Sequence, residues 1–459
     1  MTINTDRKTK ERNRNTLWEA MIVLLDVSIF FVSWLLLSDN NVINGNRYKS
    51  YLAIYAICLV CFIFFNSIYD SYAFGRRKIS ENAYSLSISC VLTDIIFYIL
   101  DTLAFRKFYS IWYIVVALII QVIINVFFCK YVNTIYFKNY KAKKTLILYR
   151  DDYDLSKLDS IPFFNQKYEI IDRIQNPKTY NDIKNEICKY EVIFISGIKA
   201  TLRNGIIKDC VNKDIEAYVV PHVGDVIMMG SKYVDELPIP MVRVEKNSLD
   251  FHYLVLKRVF DIVVAAIATI VLSPFMLLTA LAIKLYDNGP VLYKQTRLTK
   301  DRKEFTIYKF RSMRTDAEKD GVARLVSEKD DRITPIGKII RAIRFDELPQ
   351  VFNILKGDMS IVGPRPERPE IAEQYEKIYP SFKLRLQVKA GLTGYAQIYG
   401  KYNTEPIDKL KMDLFYIDRM SFLYDIQLCF MTVKTLFMKE STAAIEEGKV
   451  TASKDRDNE

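Results

Sequence analysis

Two acidic residues side by side, Asp346 and Glu347, stand among fixed cations: Arg341 and Arg344 precede them, Arg365 follows, and Lys309 and Arg311 lie upstream. A carboxylate with an ordinary pKa of about 3.9 is ionised at neutral pH and can attack phosphorus without a general base. Arginine and lysine are the donors that suit phosphate oxygens, and Arg365 sits between Pro364 and Pro366, which stiffen its backbone. Such an array is what a diphosphate substrate needs. The chain has only two histidines, His222 and His252, which excludes a histidine acid–base pair and a multi-histidine metal site. Its seven cysteines are scattered, and the Cys58–Cys61 spacing lies in an apolar run, where it reads as packing.

Four local strings carry these residues: Lys309 to Met313, Asp346-Glu347-Leu348-Pro349-Gln350, Gly363-Pro364-Arg365-Pro366, and Gly391-Leu392-Thr393-Gly394. Asp346 followed by Pro349 has the form of a helix N-cap with proline in the first turn. A helix starting there would also aim free backbone amides at an anion. Neighbouring helical residues point about 100° apart, so the two carboxylates cannot easily share one task.

These strings need elements to hold them. The 459 residues are half hydrophobic yet 26% charged, a mixture that arises when membrane spans and soluble domains share a chain. Four apolar runs, Leu17 to Leu37, Tyr51 to Tyr69, Tyr84 to Phe105 and Tyr109 to Cys129, each approach the roughly 20 residues that cross hydrocarbon. Arg7 to Arg14, Arg76 to Lys78 and Lys138 to Lys144 flank them so that both ends face the cytoplasm. The first run is too long for a cleaved signal peptide. Asp26, Asp94 and Asp101 fall within the spans and read as bundle-interior structure.

From Lys144 short β-rich runs alternate with polar segments: Thr145 to Tyr149, Tyr168 to Asp172, Val192 to Ile195, Ala217 to Val220. This predicts a small parallel sheet of Rossmann-like character. Tyr149 is followed by Arg150-Asp151-Asp152 with no glycine-rich turn, so nucleotide binding is not expected there. Beyond it, Phe260 to Ile283 is long enough to span, but Ser273-Pro274 interrupts it and both flanks are basic, Lys257 and Arg258 before, Lys284, Lys294 and Arg297 after. That pattern predicts a re-entrant helix, broken at Ser273 and Pro274, which enters and leaves by one face. The segment Leu410 to Phe437 reads either as an interfacial or as a buried amphipathic helix.

Lys257-Arg258 with Asp261, the Ser273-Pro274 break and the four strings, in this order, resemble the bacterial sugar transferase family, the polyprenyl-phosphate glycosyl-1-phosphate transferases. The resemblance covers roughly Leu256 to Phe437, and the preceding spans and α/β domain are similar to the large, three-part members that initiate exopolysaccharide, capsule or O-antigen synthesis. It implies transfer of a hexose-1-phosphate from a UDP-sugar to undecaprenyl phosphate, release of UMP, and magnesium as cofactor. It implies that Asp346 carries a covalent phosphosugar, that Glu347 is its metal-associated neighbour, and that Arg341 and Arg365 contact phosphate, where Lys309 and Arg311 are expected to join them as donors suited to phosphate oxygens. Where such members have glycines near Thr299 and Arg302 and a small hydroxyl residue at 344, this chain departs, and an arginine at 344 is expected to lower the Asp346 pKa.

The resulting fold class is a membrane protein: a four-span α-helical bundle over 1–138, a degenerate Rossmann-like α/β domain over 139–248, and a mainly α monotopic catalytic domain with a re-entrant helix over 249–440. A polar tail follows over 441–459. The expected place is the inner membrane with the catalytic domain toward the cytoplasm. The net charge of +11 gathers at membrane flanks and around the phosphate-type site, not on an aromatic platform, which argues against nucleic acid as a partner. Four spans joined to a large soluble half argue against a transporter, and a bundle of this kind allows a homodimer. The competing class is a non-catalytic scaffold or regulator of a polysaccharide assembly complex. The two readings separate at the chemistry of Asp346.

Overall fold

The computed structural model describes residues 2–37, 48–106, 108–138, 140–159, 161–177, 183–184, 186–234, 241–245, 251–315, 332–400 and 404–436. The polar tail expected over 441–459 lies outside them, as does Phe437. The chain divides into two compact units, Met1–Pro221 and His222–Glu459.

The first unit opens with four helices, α1 (Thr2–Leu37), α2 (Tyr48–Ile68), α3 (Ile79–Phe105) and α4 (Trp112–Lys138). Parts of three are long and apolar enough to cross a membrane: Leu17–Trp34 in α1, Ile79–Ala104 in α3, and α4 itself; in α2 the apolar stretch is the shorter Ala53–Ile68. Phe30, Trp34, Phe97 and Tyr113 pack inside the bundle, while Leu24, Val60, Ile119 and Phe127 are exposed on its outside. An outward apolar face suits acyl chains. Asp26, Asp94 and Asp101 are all buried within it, and Asp101 accepts a hydrogen bond from Trp34 Nε1 at 3.2 Å.

Four strands follow, β1 (Lys143–Tyr149), β2 (Tyr168–Gln175), β3 (Val192–Ile195) and β4 (Glu216–Val219), all parallel in the order β2-β1-β3-β4. The continuous apolar β3 is buried along its whole length, as a central parallel strand must be. After Tyr149 the chain enters the helix Asp152–Asp159 without a glycine turn.

The second unit begins earlier than the expected boundary after residue 248. The helix Val223–Met229 contributes Val226 to the core of this unit, so hydrophobic packing draws the division at His222. Its longest element is α5 (Phe251–Asp287), 37 residues with Pro274 inside. The expected break at Ser273-Pro274 is not an interruption of the helix. Proline cannot donate to the carbonyl four residues back, which is that of Ile270, and the Ser273 hydroxyl donates to that same oxygen at 2.8 Å. The neighbouring serine supplies the donor that the proline lacks.

Both ends of α5 are anchored in this one unit. Near its start, Lys257 pairs with Asp425 at 2.7 Å, Arg258 donates to the carbonyls of Ile354 and Leu355, and Asp261 accepts from Ser360 Oγ and Ile361 N. Near its end Ile283 packs with Phe310 and Ile340, and Phe275 lies against Phe345. Between these anchors Ile270 (74%) and Leu277 (71%) are exposed.

The elements of this unit that frame the site are a hairpin of β5 (Leu292–Leu298) and β6 (Glu304–Phe310), the short helices α6 (Pro335–Ala342) and α7 (Gln350–Lys356), a parallel pair of β7 (Ser360–Val362) and β8 (Gly391–Thr393), and two further helices, α8 (Pro406–Asp418) and α9 (Phe422–Leu436). Leu410, Leu414 and Leu428 place α8 and α9 in the core, which favours the buried reading of that segment.

Candidate functional site

The carboxylate pair sits where α6 hands over to α7. Thr334 caps α6, accepting from Gly337 N at 2.9 Å, with Pro335 in its first turn. After Ile343 the chain makes a left-handed step at Arg344 (φ 53°) and a 3-10 turn over Phe345–Glu347, and α7 begins only at Gln350, with Pro349 as its cap residue. Asp346 is therefore not the N-cap expected from the sequence. The left-handed step uses the residues that an N-cap reading assigns to a helix start, and the amides of α7 open four residues later.

The turn faces the hairpin. Buried Asn353 of α7 accepts from Tyr308 N at 3.0 Å and donates to the Thr306 carbonyl at 2.7 Å, which fixes β6 beside the turn. Lys309, near the end of β6, then reaches Glu347 Oε1 at 2.8 Å, and Arg365 Nη2 reaches the same oxygen at 3.3 Å. Burial alone would raise the Glu347 pKa, but Lys309, Arg365 and Arg344 outweigh it and hold the carboxyl below the usual range. Asp346 differs: among the described residues its carboxylate accepts no hydrogen bond and forms no ion pair. Burial and the Glu347 charge raise its pKa, opposed by Lys309, Arg341 and Arg365. The expected lowering by Arg344 is not found, because burial dominates and the Arg344 charge bears on Glu347.

Of the expected phosphate contacts, Lys309 and Arg365 touch the pair and Arg341, in the last turn of α6, acts on Asp346. Arg311 does not join them. Its guanidinium is buried and ion-paired with Asp287 at the end of α5, so this residue serves the hairpin–helix junction. The loop departures also find their place. Asp301 and Arg302 both have positive φ, 55° and 59°, at the turn where glycine is the ordinary choice, and the Thr299 hydroxyl ties the turn to Asp358 O and Ala390 N.

Arg365 is placed by backbone crossing. Gly363 N donates to Thr393 O at 2.8 Å and Gly391 N to Pro364 O at 2.9 Å, an approach so close that a Cβ on Gly391 would lie 2.1 Å from Gly363 N. The two glycine strings are therefore one structural device. Beneath them Arg385, missed by sequence reading, donates to the Arg365 carbonyl at 3.0 Å while pairing with Asp413 at 2.8 Å and Glu367 at 3.3 Å. Nothing in its run Leu384-Arg385-Leu386-Gln387 marks it, since its partners lie 18 and 28 residues away. Gln397, which accepts from Arg365 Nη1 at 3.2 Å, was missed likewise.

Among the described residues there is no cluster of three or more His, Cys, Asp or Glu that could hold a metal. Magnesium does not require one, since it is ordinarily held by one or two carboxylates together with substrate phosphates. Both cations use Oε1 of Glu347, which leaves Oε2 and the Asp346 carboxylate for that purpose. The donor set fits.

A helical membrane protein carrying a cation-ringed carboxylate pair in the same unit as a long apolar helix is the class that fold and site define. Residues 252–439 match the sequence profile of the family described as bacterial sugar transferase. The exopolysaccharide production protein PSS of Rhizobium leguminosarum bv. phaseoli is 44% identical over 191 residues, which are 39% of this chain and 94% of that protein. The chain belongs to the bacterial sugar transferase family. It is also similar to the UDP-N-acetylgalactosamine-undecaprenyl-phosphate N-acetylgalactosaminephosphotransferase of Aeromonas hydrophila, 42% over 187 residues, 40% of this chain and 44% of that one. The UDP-glucose:undecaprenyl-phosphate glucose-1-phosphate transferase of Escherichia coli K12 is 37% identical over 228 residues, 49% of each. The chain spans about half the length of these last two relatives.

Proposed function

We propose that this protein transfers a hexose-1-phosphate from a UDP-sugar to undecaprenyl phosphate, releasing UMP, as the first membrane step of exopolysaccharide or capsule synthesis. The observation that carries the reading is the inequality of the pair: Glu347 is held by Lys309 and Arg365, whereas among the described residues Asp346 has no hydrogen bond or ion pair. A nucleophile must be free to move onto the reacting atom. An Asp346 oxygen attacks the β-phosphorus, the bond from that phosphorus to the bridging oxygen breaks, and UMP leaves with the electron pair. An oxygen of the lipid phosphate then attacks the same phosphorus and frees the Asp346 carboxylate. Glu347 Oε2 and the substrate phosphates would hold magnesium, whose charge would offset the repulsion between carboxylate and diphosphate. Lys309, Arg341 and Arg365 oppose the same repulsion from the protein side.

Membrane placement supports this reading. A polyprenyl phosphate keeps its tail in the bilayer and its phosphate at the interface. The exposed apolar middle of α5, anchored at both ends in the same unit, is suited to dip into one leaflet from the cytoplasmic side of the inner membrane and return.

The test is an assay of the purified full chain with magnesium, undecaprenyl phosphate and a panel of UDP-glucose, UDP-galactose and UDP-N-acetylgalactosamine. UMP release with one of these and its loss in Asp346→Asn support the proposal. Full activity in that variant sinks the covalent mechanism.

A further inference from the structure

The inner face of the hairpin carries more charge than the Asp346–Glu347 pair uses. In the antiparallel register Tyr293 lies opposite Lys309 and Arg297 opposite Phe305, so Lys309 and Arg297 share one face, four residues apart along the strands or about 13 Å. Lys309 serves Glu347 at one end. At the other, Leu298 N donates to the Glu367 carbonyl at 3.0 Å, which sets Arg297 beside the stretch from Arg365 to Arg368.

Lys409 approaches the same place from α8. It lies one turn before Asp413, hence on the same helix face, and Asp413 is the residue that anchors Arg385 under the Arg365 loop. Among the described residues neither Arg297 nor Lys409 forms an ion pair; the Arg297 guanidinium donates only to the Thr296 carbonyl. Glu367 is shared: it is bonded to Arg385, and the charges of Lys409, Arg365 and Arg297 act on it as well. Burial, followed by the charge of Arg368, pulls Arg297 down to about 10, and burial likewise lowers Lys409. Four cations, Arg297, Arg365, Arg385 and Lys409, thus share two carboxylates, Glu367 and Asp413, and the excess positive charge is unfavourable until a further anion joins them. Gln397 adds a donor of its own: its Oε1 accepts from Arg365, and its Nε2 is buried without an acceptor.

We propose that Arg297 and Lys409, with Arg365 and the Gln397 amide, form a second anion subsite that holds the phosphate of the departing nucleotide. The proposal rests on the transferase reading above and places the nucleotide side of the substrate. Arg365 links the two places, touching Glu347 at the reacting phosphorus and bordering Arg297 and Lys409 beyond it. A diphosphate with its β-phosphate at Asp346 then turns its α-phosphate, one bridging oxygen away, toward Arg365 and the side chains that reach in beyond it.

Binding of UMP and of uridine to the full chain in detergent tests it, with Arg297→Met, Lys409→Met and the Asp346→Asn variant alongside. A phosphate subsite predicts that each Met variant loses about 10-fold in UMP affinity, the worth of one charge-assisted contact, while uridine affinity is unchanged. The KM for the UDP-sugar rises in parallel and that for undecaprenyl phosphate does not, and Lys409→Arg restores part of the loss. Unchanged UMP affinity in both Met variants overturns the subsite, as does an equal loss for UMP and uridine, which signals a structural role. A rise confined to the KM for undecaprenyl phosphate overturns it too, by assigning the cations to the lipid. If the native chain neither binds UMP nor releases it, the transferase reading itself has failed.

Discussion

Lys309 Nζ lies 2.8 Å from Glu347 Oε1, and this pairing makes two adjacent carboxylates chemically unequal. Glu347 stays ionised because its partners hold it so, and its fixed charge then pushes the Asp346 pKa upward in addition to burial. The residue left protonatable is the one with no partner to lose.

This inequality has a pH signature. In the proposed mechanism the attacking form of Asp346 is the carboxylate, so the covalent step should slow as pH falls through its raised pKa. Glu347→Gln removes a raising charge and moves the acid limb to lower pH; Lys309→Met removes a lowering charge and moves it to higher pH. Single-turnover UMP release across pH reads both. Coincident limbs in the native chain and Lys309→Met would show that the Lys309 charge does not reach Asp346.

Much of this site was legible in the sequence because its motifs are local. Asp346, Glu347, Lys309 and Arg365 stand in short strings whose residue types declare a phosphate chemistry. What was hidden is long-range. Arg311 reads as a phosphate contact by its place near Lys309, yet it lies just past the strand end, where its guanidinium pairs with Asp287 at the end of α5. The N-cap reading of Asp346 failed because the left-handed step at Arg344 cannot be seen in a string that fits a helix start. Arg385, Asp413 and Glu367 form a buried triad with no sequence pattern, and only folding makes them neighbours. The apolar helices were readable from the length of their runs and the parallel sheet from its β-rich runs, whereas the Ser273 hydroxyl carrying α5 through Pro274 needs the atomic geometry.

Arg385→Met should destabilise the second unit by about 3–5 kcal/mol, since it leaves Asp413 and Glu367 buried without their cation. Denaturant unfolding in detergent, followed by a probe in this unit, measures it. A midpoint within error of the native chain would mean that Asp413 and Glu367 neutralise themselves by protonation and that Arg385 is dispensable.

Gly391→Ala places a methyl 2.1 Å from Gly363 N and 2.4 Å from Thr393 O, backbone atoms that cannot rotate away. The expected cost is about 1–3 kcal/mol with a loss of UMP release, because the strain displaces the loop bearing Arg365. Gly224→Ala, where a Cβ meets nothing within 4 Å, is the matched control and should be neutral. Equal behaviour of the two variants would remove the crossing from the argument.

The return of α5 to its starting side can be tested by labelling. His252 and Lys300 are exposed and flank the apolar stretch on either side. In a background with the seven native cysteines replaced, His252→Cys and Lys300→Cys should react with a membrane-impermeant thiol reagent from the same face of sealed vesicles. An ordinary span would divide them, one labelled only from outside and one only from within. It would also separate Lys257 from its partner Asp425 or Ile283 from Phe310 by the thickness of the bilayer, contacts that both exist in one folded unit. A helix of 37 residues is about 55 Å long if straight, more than the roughly 30 Å of hydrocarbon, so its length permits either course. The anchors at both ends are what the proposed return rests on.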